Sequence, residues 1–182
     1  ITLFLSAMLV VAMPYLITEV LAFQPAQANR LYGMAQGLMA AGGLAGGICA
    51  GVFAGRLTVR KAGTILIVCG LCVFPMGIIL LLSASAMVCY TVITLCCFVI
   101  MSLSTIFTVQ MMSVLQRETP GNLIGKVISV ILTLSMCAQP LGNAFYGILF
   151  ELCEGVESAV VFFAGAVSLL IAVCSRKVFM DL

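Results

Sequence analysis

The chain has 182 residues, of which 64% are hydrophobic and 8% are charged, with a net charge of +2. A soluble domain carries about 25% charged residues and needs them to cover its surface. Eight cations and six anions cannot do this for a chain of this length, so an ordinary soluble domain is excluded. We expect the lipid bilayer as a partner and no nucleic acid.

Six apolar runs are long enough to cross a membrane. A spanning helix needs about 20 apolar residues, because a rise of ~1.5 Å per residue must cover ~30 Å of hydrocarbon. Strands of a membrane barrel would alternate polar and apolar residues, and this chain does not. We therefore predict an all-α membrane protein, a single domain over 1–182, with spans at about 2–22, 32–55, 63–82, 87–112, 123–150 and 157–175.

The first span contains Glu19, the one charged residue predicted to lie within a span. Ionisable groups in a membrane are costly and often functional. Glu19 is either a carboxylate that reaches water and pairs with Arg30 across the outer loop, or a gating or proton-linked acid. The chain opens inside this apolar run, at Ile1, without the charged start of a signal peptide. We therefore expect a fragment whose N-terminal part lies upstream.

The second span is rich in glycine and carries one polar side chain, Gln36, a turn inside its outer end. Glycines at four-residue spacing let a second helix backbone approach closely. We expect packing within one bundle, with dimerisation through this face as the alternative. The two candidate stripes are Gly43, Gly47, Gly51 and Gly55, and Gly33, Gly37, Gly42 and Gly46.

The third and fourth spans are separated only by residues 83–86, so they are predicted to form a tight antiparallel pair. The third contains a C-x-x-C spacing, Cys69 to Cys72. The chain has no His, which excludes Cys/His metal sites and Cys–His nucleophile pairs. Apolar packing of the thiols is therefore favoured over redox chemistry. No cofactor and no metal are expected.

A charged island, Leu115–Lys126, precedes the fifth span, where Gln139, Asn143 and Tyr146 are spaced at four and three residues. Such a spacing places all three on one helical face. Their amides and hydroxyl either join helices by hydrogen bonds in lipid or line a water-filled substrate cavity together with Gln36.

The cations give the orientation, because Lys and Arg favour the cytoplasmic side of a membrane. Seven of the eight fall on one side of a six-span arrangement, and the other side holds Arg30 and three glutamates. Both ends of the chain are therefore predicted to be cytoplasmic, in a multi-pass protein of the cell membrane. The seven cations are Arg56, Arg60, Lys61, Arg117, Lys126, Arg176 and Lys177, and the three glutamates are Glu151, Glu154 and Glu157.

Three segments resemble motifs of one transporter family. "GVFAGRLTVRKAG" is similar to the loop signature G-x-x-x-D-R-x-G-R-R/K-R/K of the major facilitator superfamily. "QRETPGNLIGKVISV" and "PLGNAFYGILFE" resemble stretches of bacterial drug, macrolide or siderophore efflux members, with Glu151 at the position of an Asp. In the loop signature the matching positions are Gly51, Arg56, Arg60 and Lys61, while Gly55, Thr58 and Val59 depart from it.

The resemblance implies the C-terminal six-helix half of such a transporter, built as 3+3 inverted repeats, with the N-terminal half as a missing partner. It implies efflux of a small amphipathic compound by alternating access, as a proton-coupled antiporter without enzymatic activity. The implied substrate cavity contains Gln36, Gln139, Asn143 and Tyr146, and the implied gating or proton-linked residues are Glu19, Arg30 and Arg56. A membrane thiol–disulfide oxidoreductase, or a channel or structural helical bundle, is the alternative.

Overall fold

The computed structural model describes residues 2–21, 23–53, 59–82, 85–153 and 155–180, without the side chains of 59–62 and 176–180. All regular structure in these ranges is helical. The first helix, α1, continues directly into a π-helical turn at Leu16–Val20. The α-helices are α1 (Thr2–Tyr15), α2 (Pro25–Val52), α3 (Val59–Leu71), α4 (Phe74–Leu81), α5 (Ala86–Glu118), α6 (Ile124–Leu152) and α7 (Glu157–Met180).

Six helical segments in the described part of the chain are long and apolar enough to cross a membrane, which confirms the predicted all-α, six-span protein. Two boundaries differ from the prediction. Helix α2 begins at Pro25, because proline is well placed at the first position of a helix. Helix α5 continues to Glu118, and its 33 residues exceed the ~20 needed to span the hydrocarbon. The charged island is therefore partly helical.

The third predicted span is two helices rather than one. Helix α3 ends at Leu71 and α4 begins at Phe74, with Pro75 in its first turn. Proline has no N–H to donate and its ring displaces the carbonyl four residues earlier, which interrupts a helix. The apolar pattern runs through this interruption, so composition alone could not locate it.

Four pairs of spans account for most of the packing. Helix α2 lies along α5, the broken span α3–α4 lies against α7, and α1 lies along α6. Helix α5 also contacts α3 and α4, which confirms the tight pair predicted for the third and fourth spans. The core is centred on α1, whose Leu5, Met8 and Leu9 are fully buried. Helix α6 makes few contacts beyond α1 and is exposed over most of its length.

The glycine stripe that α2 uses is not the one centred on Gly47 and Gly51. A Cβ at Gly42 would lie 2.6 Å from the carbonyl oxygen of Phe98, and one at Gly46 would lie 2.9 Å from the Cα of Ser102. A Cβ at Gly47 would reach only 4.0 Å from Thr105, and at Gly51 it would meet nothing within 4 Å. Packing within the bundle is thus carried by Gly42 and Gly46. Of the two candidate stripes, the one with Gly47 and Gly51 meets at most the Thr105 side chain and not the α5 backbone.

A hydrogen bond reinforces this close approach. The Ser102 hydroxyl donates to the Gly42 carbonyl at 2.8 Å across the two helices and to the Phe98 carbonyl at 2.9 Å within α5. Further along the pair, the Tyr90 hydroxyl donates to the Leu31 carbonyl at 2.9 Å. Helices α2 and α5 are therefore joined at two heights.

Candidate functional site

Gln36 lies on α2 and is half-buried. Its Nε2 donates to the hydroxyl of Tyr32, one turn earlier, at 2.8 Å. The amide therefore has a partner on its own helix. The other three predicted cavity residues lie on α6, which packs chiefly against α1.

Gln139, Asn143 and Tyr146 share the face of α6 that points towards α1. Tyr146 is fully buried, and its ring centroid lies 4.8 Å from that of Phe4 on α1. Gln139 and Asn143 are half-buried. Within the described residues, the Tyr146 hydroxyl and the Asn143 Oδ1 are buried without a hydrogen-bond partner. Tyr146 packs against α1 in this arrangement, and the substrate-binding role of Gln139, Asn143 and Tyr146 stays a prediction.

A second, polar surface runs along the exposed edge of α6. Lys126 stands near its first turn and Glu151 near its last, and both are exposed. Between them, the exposed hydroxyls of Ser129 and Thr133 each donate to the carbonyl four residues earlier at 2.8 Å. We call this surface, formed by Lys126, Ser129, Thr133 and Glu151, the polar edge. The buried amides predicted from the sequence do not identify this edge. The spacing of three and four residues between Lys126, Ser129 and Thr133 nevertheless places them on one helical face.

The remaining side of α6 is apolar and exposed. Large aliphatic side chains occupy it from end to end, including Leu134, 65% exposed, and Leu152, 76% exposed. Helix α6 therefore has three sides: one against α1, one polar and one apolar. A spanning helix with a polar edge is suited to the boundary between lipid or protein and an aqueous space.

A pocket of about 360 Å³ lies between the first span and the end of α6. The first span contributes Val11, Tyr15 and Glu19, and α6 contributes Gly147, Phe150 and Glu151. The rings of Tyr15 and Phe150 are 5.3 Å apart, centroid to centroid. The structure thus brings the predicted gating residue Glu19 into one pocket with Glu151, which the sequence marks as a motif position and as one of three glutamates on the predicted outer side.

The two carboxylates of this pocket, Glu19 and Glu151, are both exposed. Exposed charges interact weakly because solvent screens them. The pocket is consequently suited to weak, reversible contact with a cationic group rather than to permanent capture.

The other predicted gating and motif residues lie elsewhere. Arg30 is exposed on the second turn of α2, and no ion pair joins it to Glu19 in the part of the chain that the structure describes. Arg56 lies outside the described residues. Arg60 and Lys61 belong to the first turn of α3, but their side chains are outside the described set. Gly51 is exposed near the end of α2. The pairing and gating roles of these residues stay predictions.

The cysteines lie within the packed bundle. Cys69 is fully buried, Cys72 is half-buried, and both are free thiols. The hydroxyl of Ser104 lies beside the Cys69 thiol but makes no hydrogen bond of ordinary geometry. Reactive thiols occur in partly exposed, electropositive surroundings, which Cys69 lacks. Over the described residues, no group of three or more His, Cys, Asp or Glu side chains is placed to hold a metal ion.

Comparison with known proteins found no match to this chain among protein-family models, curated proteins or solved structures. The fold and its composition define the class: a multi-pass α-helical membrane protein with six candidate spans. The orientation of the chain, the kind of membrane and the partner half stay predictions.

Proposed function

We propose that this chain is the C-terminal half of a secondary active transporter of the major facilitator type. It would export a small amphipathic compound in exchange for protons by alternating access, together with an N-terminal six-helix half. The bilayer, the substrate and protons are its other partners.

The pairing of the spans is the observation that carries this proposal. Two inverted three-span repeats relate the first span to the fourth, the second to the fifth and the third to the sixth. If this relation holds, a contact between the first and fifth spans requires an equivalent contact between the fourth and second spans. A contact between the third and sixth spans is its own equivalent. Three of the four main pairs of spans fit this relation: α1 with α6, α5 with α2, and α3–α4 with α7.

The pairing departs from this rule in one place. The fourth span, α5, packs closely against the third, whereas the corresponding contact of α1 with α7 is slight. The interruption of the third span at residues 72 and 73 falls within the closer contact. The repeat relation is therefore approximate.

The surface of α6 supports transport over a purely structural bundle. The hydroxyls of Ser129 and Thr133 are already bonded to their own helix. The Asn143 Oδ1, however, has no partner within the described residues, and such a group is expensive in a membrane unless it meets water or a ligand. The polar edge lies beside an apolar face on the same exposed helix. An amphipathic compound has both requirements, since its polar group needs partners and its apolar part needs a dry wall.

Transport is tested in inside-out vesicles from cells that produce the chain together with its N-terminal half. We expect an amphipathic fluorescent dye to accumulate when a proton gradient is imposed, and a protonophore to abolish the accumulation. The matched control is vesicles from cells that produce the N-terminal half alone. The proposal would be contradicted if the protein were folded and monodisperse but gave no protonophore-sensitive dye accumulation. The panel of amphipathic dyes must include cationic, neutral and anionic ones.

A further inference from the structure

The first span changes its helical geometry immediately beside the pocket. It is α-helical to Tyr15 and π-helical from Leu16 to Val20, and the N–H of Leu21 donates to the Leu16 carbonyl at 2.8 Å. A π turn encloses one more residue than an α turn and is rare, and single π turns are frequently found at functional sites. It is the single π turn in the described part of the chain.

Two residues, Pro14 and Thr18, accompany this change of helical geometry. Pro14 lies two residues before the π turn and contributes no backbone donor to the helix. The Thr18 hydroxyl donates to the Pro14 carbonyl at 3.0 Å. In a regular α-helix the N–H of residue 18 donates to this same carbonyl, so the hydroxyl competes with it, and such side-chain bonds often bend helices. Thr18 therefore favours a departure from regular α geometry at this point.

The π turn explains why Glu19 lines the pocket. In an α-helix, residues four apart are displaced by about 40° around the axis, because 3.6 residues make one turn. Val11, Tyr15 and Glu19 would then fan out over about 80°. The wider π turn reverses the second of these displacements. All three side chains consequently lie against α6 in one pocket.

We propose that the π-helical turn is a register switch for Glu19. In the π form the carboxylate lines the pocket beside Glu151. Conversion to α-helix turns the carboxylate out of the pocket and opens the seam between the first span and α6. The biological use of this movement, gating of the pocket, rests on the proposed transport function, but the movement itself does not.

The switch is tested by cross-linking, without any transport measurement. The pair Glu19→Cys and Glu151→Cys is introduced in a background free of other cysteines, with a protease site in the turn after Glu118. A short bifunctional thiol reagent then joins the two fragments left by cleavage. The control pair is Val11→Cys and Gly147→Cys, which line the same pocket but leave the π turn unchanged.

Deletion of Val20 removes the additional residue of the π turn and leaves Glu19 four residues after Tyr15. We expect the rate of cross-linking between positions 19 and 151 to fall about tenfold, because it depends steeply on thiol geometry. Cross-linking of the control pair should be unchanged, and a bulky impermeant reagent should label position 151 faster. Deletion of Gln24 shortens the same connection but keeps the π turn, so neither rate should change.

Thr18→Val provides a second, milder variant, because it keeps the side-chain volume and removes the hydroxyl bonded to Pro14. It should shift both rates in the same direction as the Val20 deletion. If the Val20 deletion changes cross-linking of the control pair, the result for Thr18→Val is the test of the switch. Unchanged cross-linking and labelling in Thr18→Val, or in a Val20 deletion whose control pair is intact, would overturn the switch. Neither result bears on the transport proposal, which is tested separately by the vesicle assay.

Discussion

Replacing Gly42 with alanine tests whether the contact between α2 and α5 holds the bundle together. The new Cβ would lie 2.6 Å from the backbone carbonyl oxygen of Phe98. A flexible side chain could move aside, but a helix carbonyl cannot without displacing its helix. The two helices must separate, and the bond from Ser102 to the Gly42 carbonyl, 2.8 Å long, is then stretched or lost.

The expected magnitude combines three effects. Overpacking of a tight contact costs about 3 kcal/mol at the upper end of its usual range, and loss of the hydroxyl bond costs about 1 kcal/mol. The better helix propensity of alanine offsets about 1 kcal/mol. Gly42→Ala should therefore destabilise the fold by about 3 kcal/mol, which is about two orders of magnitude in the unfolding equilibrium.

Gly37→Ala is the matched control, because it lies on the same helix and a Cβ there would meet nothing within 4 Å. It should be neutral or stabilise by up to about 1 kcal/mol. Unfolding is followed in detergent mixtures with increasing SDS by labelling of Cys97, which is fully buried in the core. Equal midpoints for the two variants would refute the reasoning, since the α2–α5 contact would then carry no stability.

Three further predictions concern the site and the topology. Tyr146→Phe removes a buried hydroxyl that lacks a partner in the described structure. It should leave the free energy of unfolding in SDS unchanged or raise it by up to about 1 kcal/mol, and a marked loss of stability would indicate that the hydroxyl has a bound partner. Glu151→Gln should reduce protonophore-sensitive dye accumulation by about tenfold, since it removes one of the two pocket carboxylates. Glu118→Gln, at the end of α5 and outside the pocket, should not; equal accumulation in the two variants would show that the pocket carboxylate takes no part in coupling. A cysteine introduced at Gly121 should be labelled only from the cytoplasmic side and one at Gly155 only from outside, and the reverse pattern would invert the predicted orientation.

The sequence by itself determined the class of fold. Long uncharged runs allow few structures in lipid, because every backbone polar group must be satisfied within the segment. The six spans and the close pairing of the third with the fourth followed from this, without knowledge of any tertiary contact. The shared face of Asn143 and Tyr146 followed equally from helical periodicity.

Tertiary structure decided which of these features meet each other. Periodicity shows that α2 has two glycine stripes, but only the path of α5 selects Gly42 over Gly51, because close approach depends on the partner backbone. Helical periodicity likewise could not turn Glu19 towards Glu151, since that requires a π turn, which has no apolar signature in the sequence. The pocket arises from such a local departure from regular geometry. The break in the third span lies at Pro75, but Pro140 lies inside the unbroken helix α6, so the presence of a proline does not by itself determine where a helix ends.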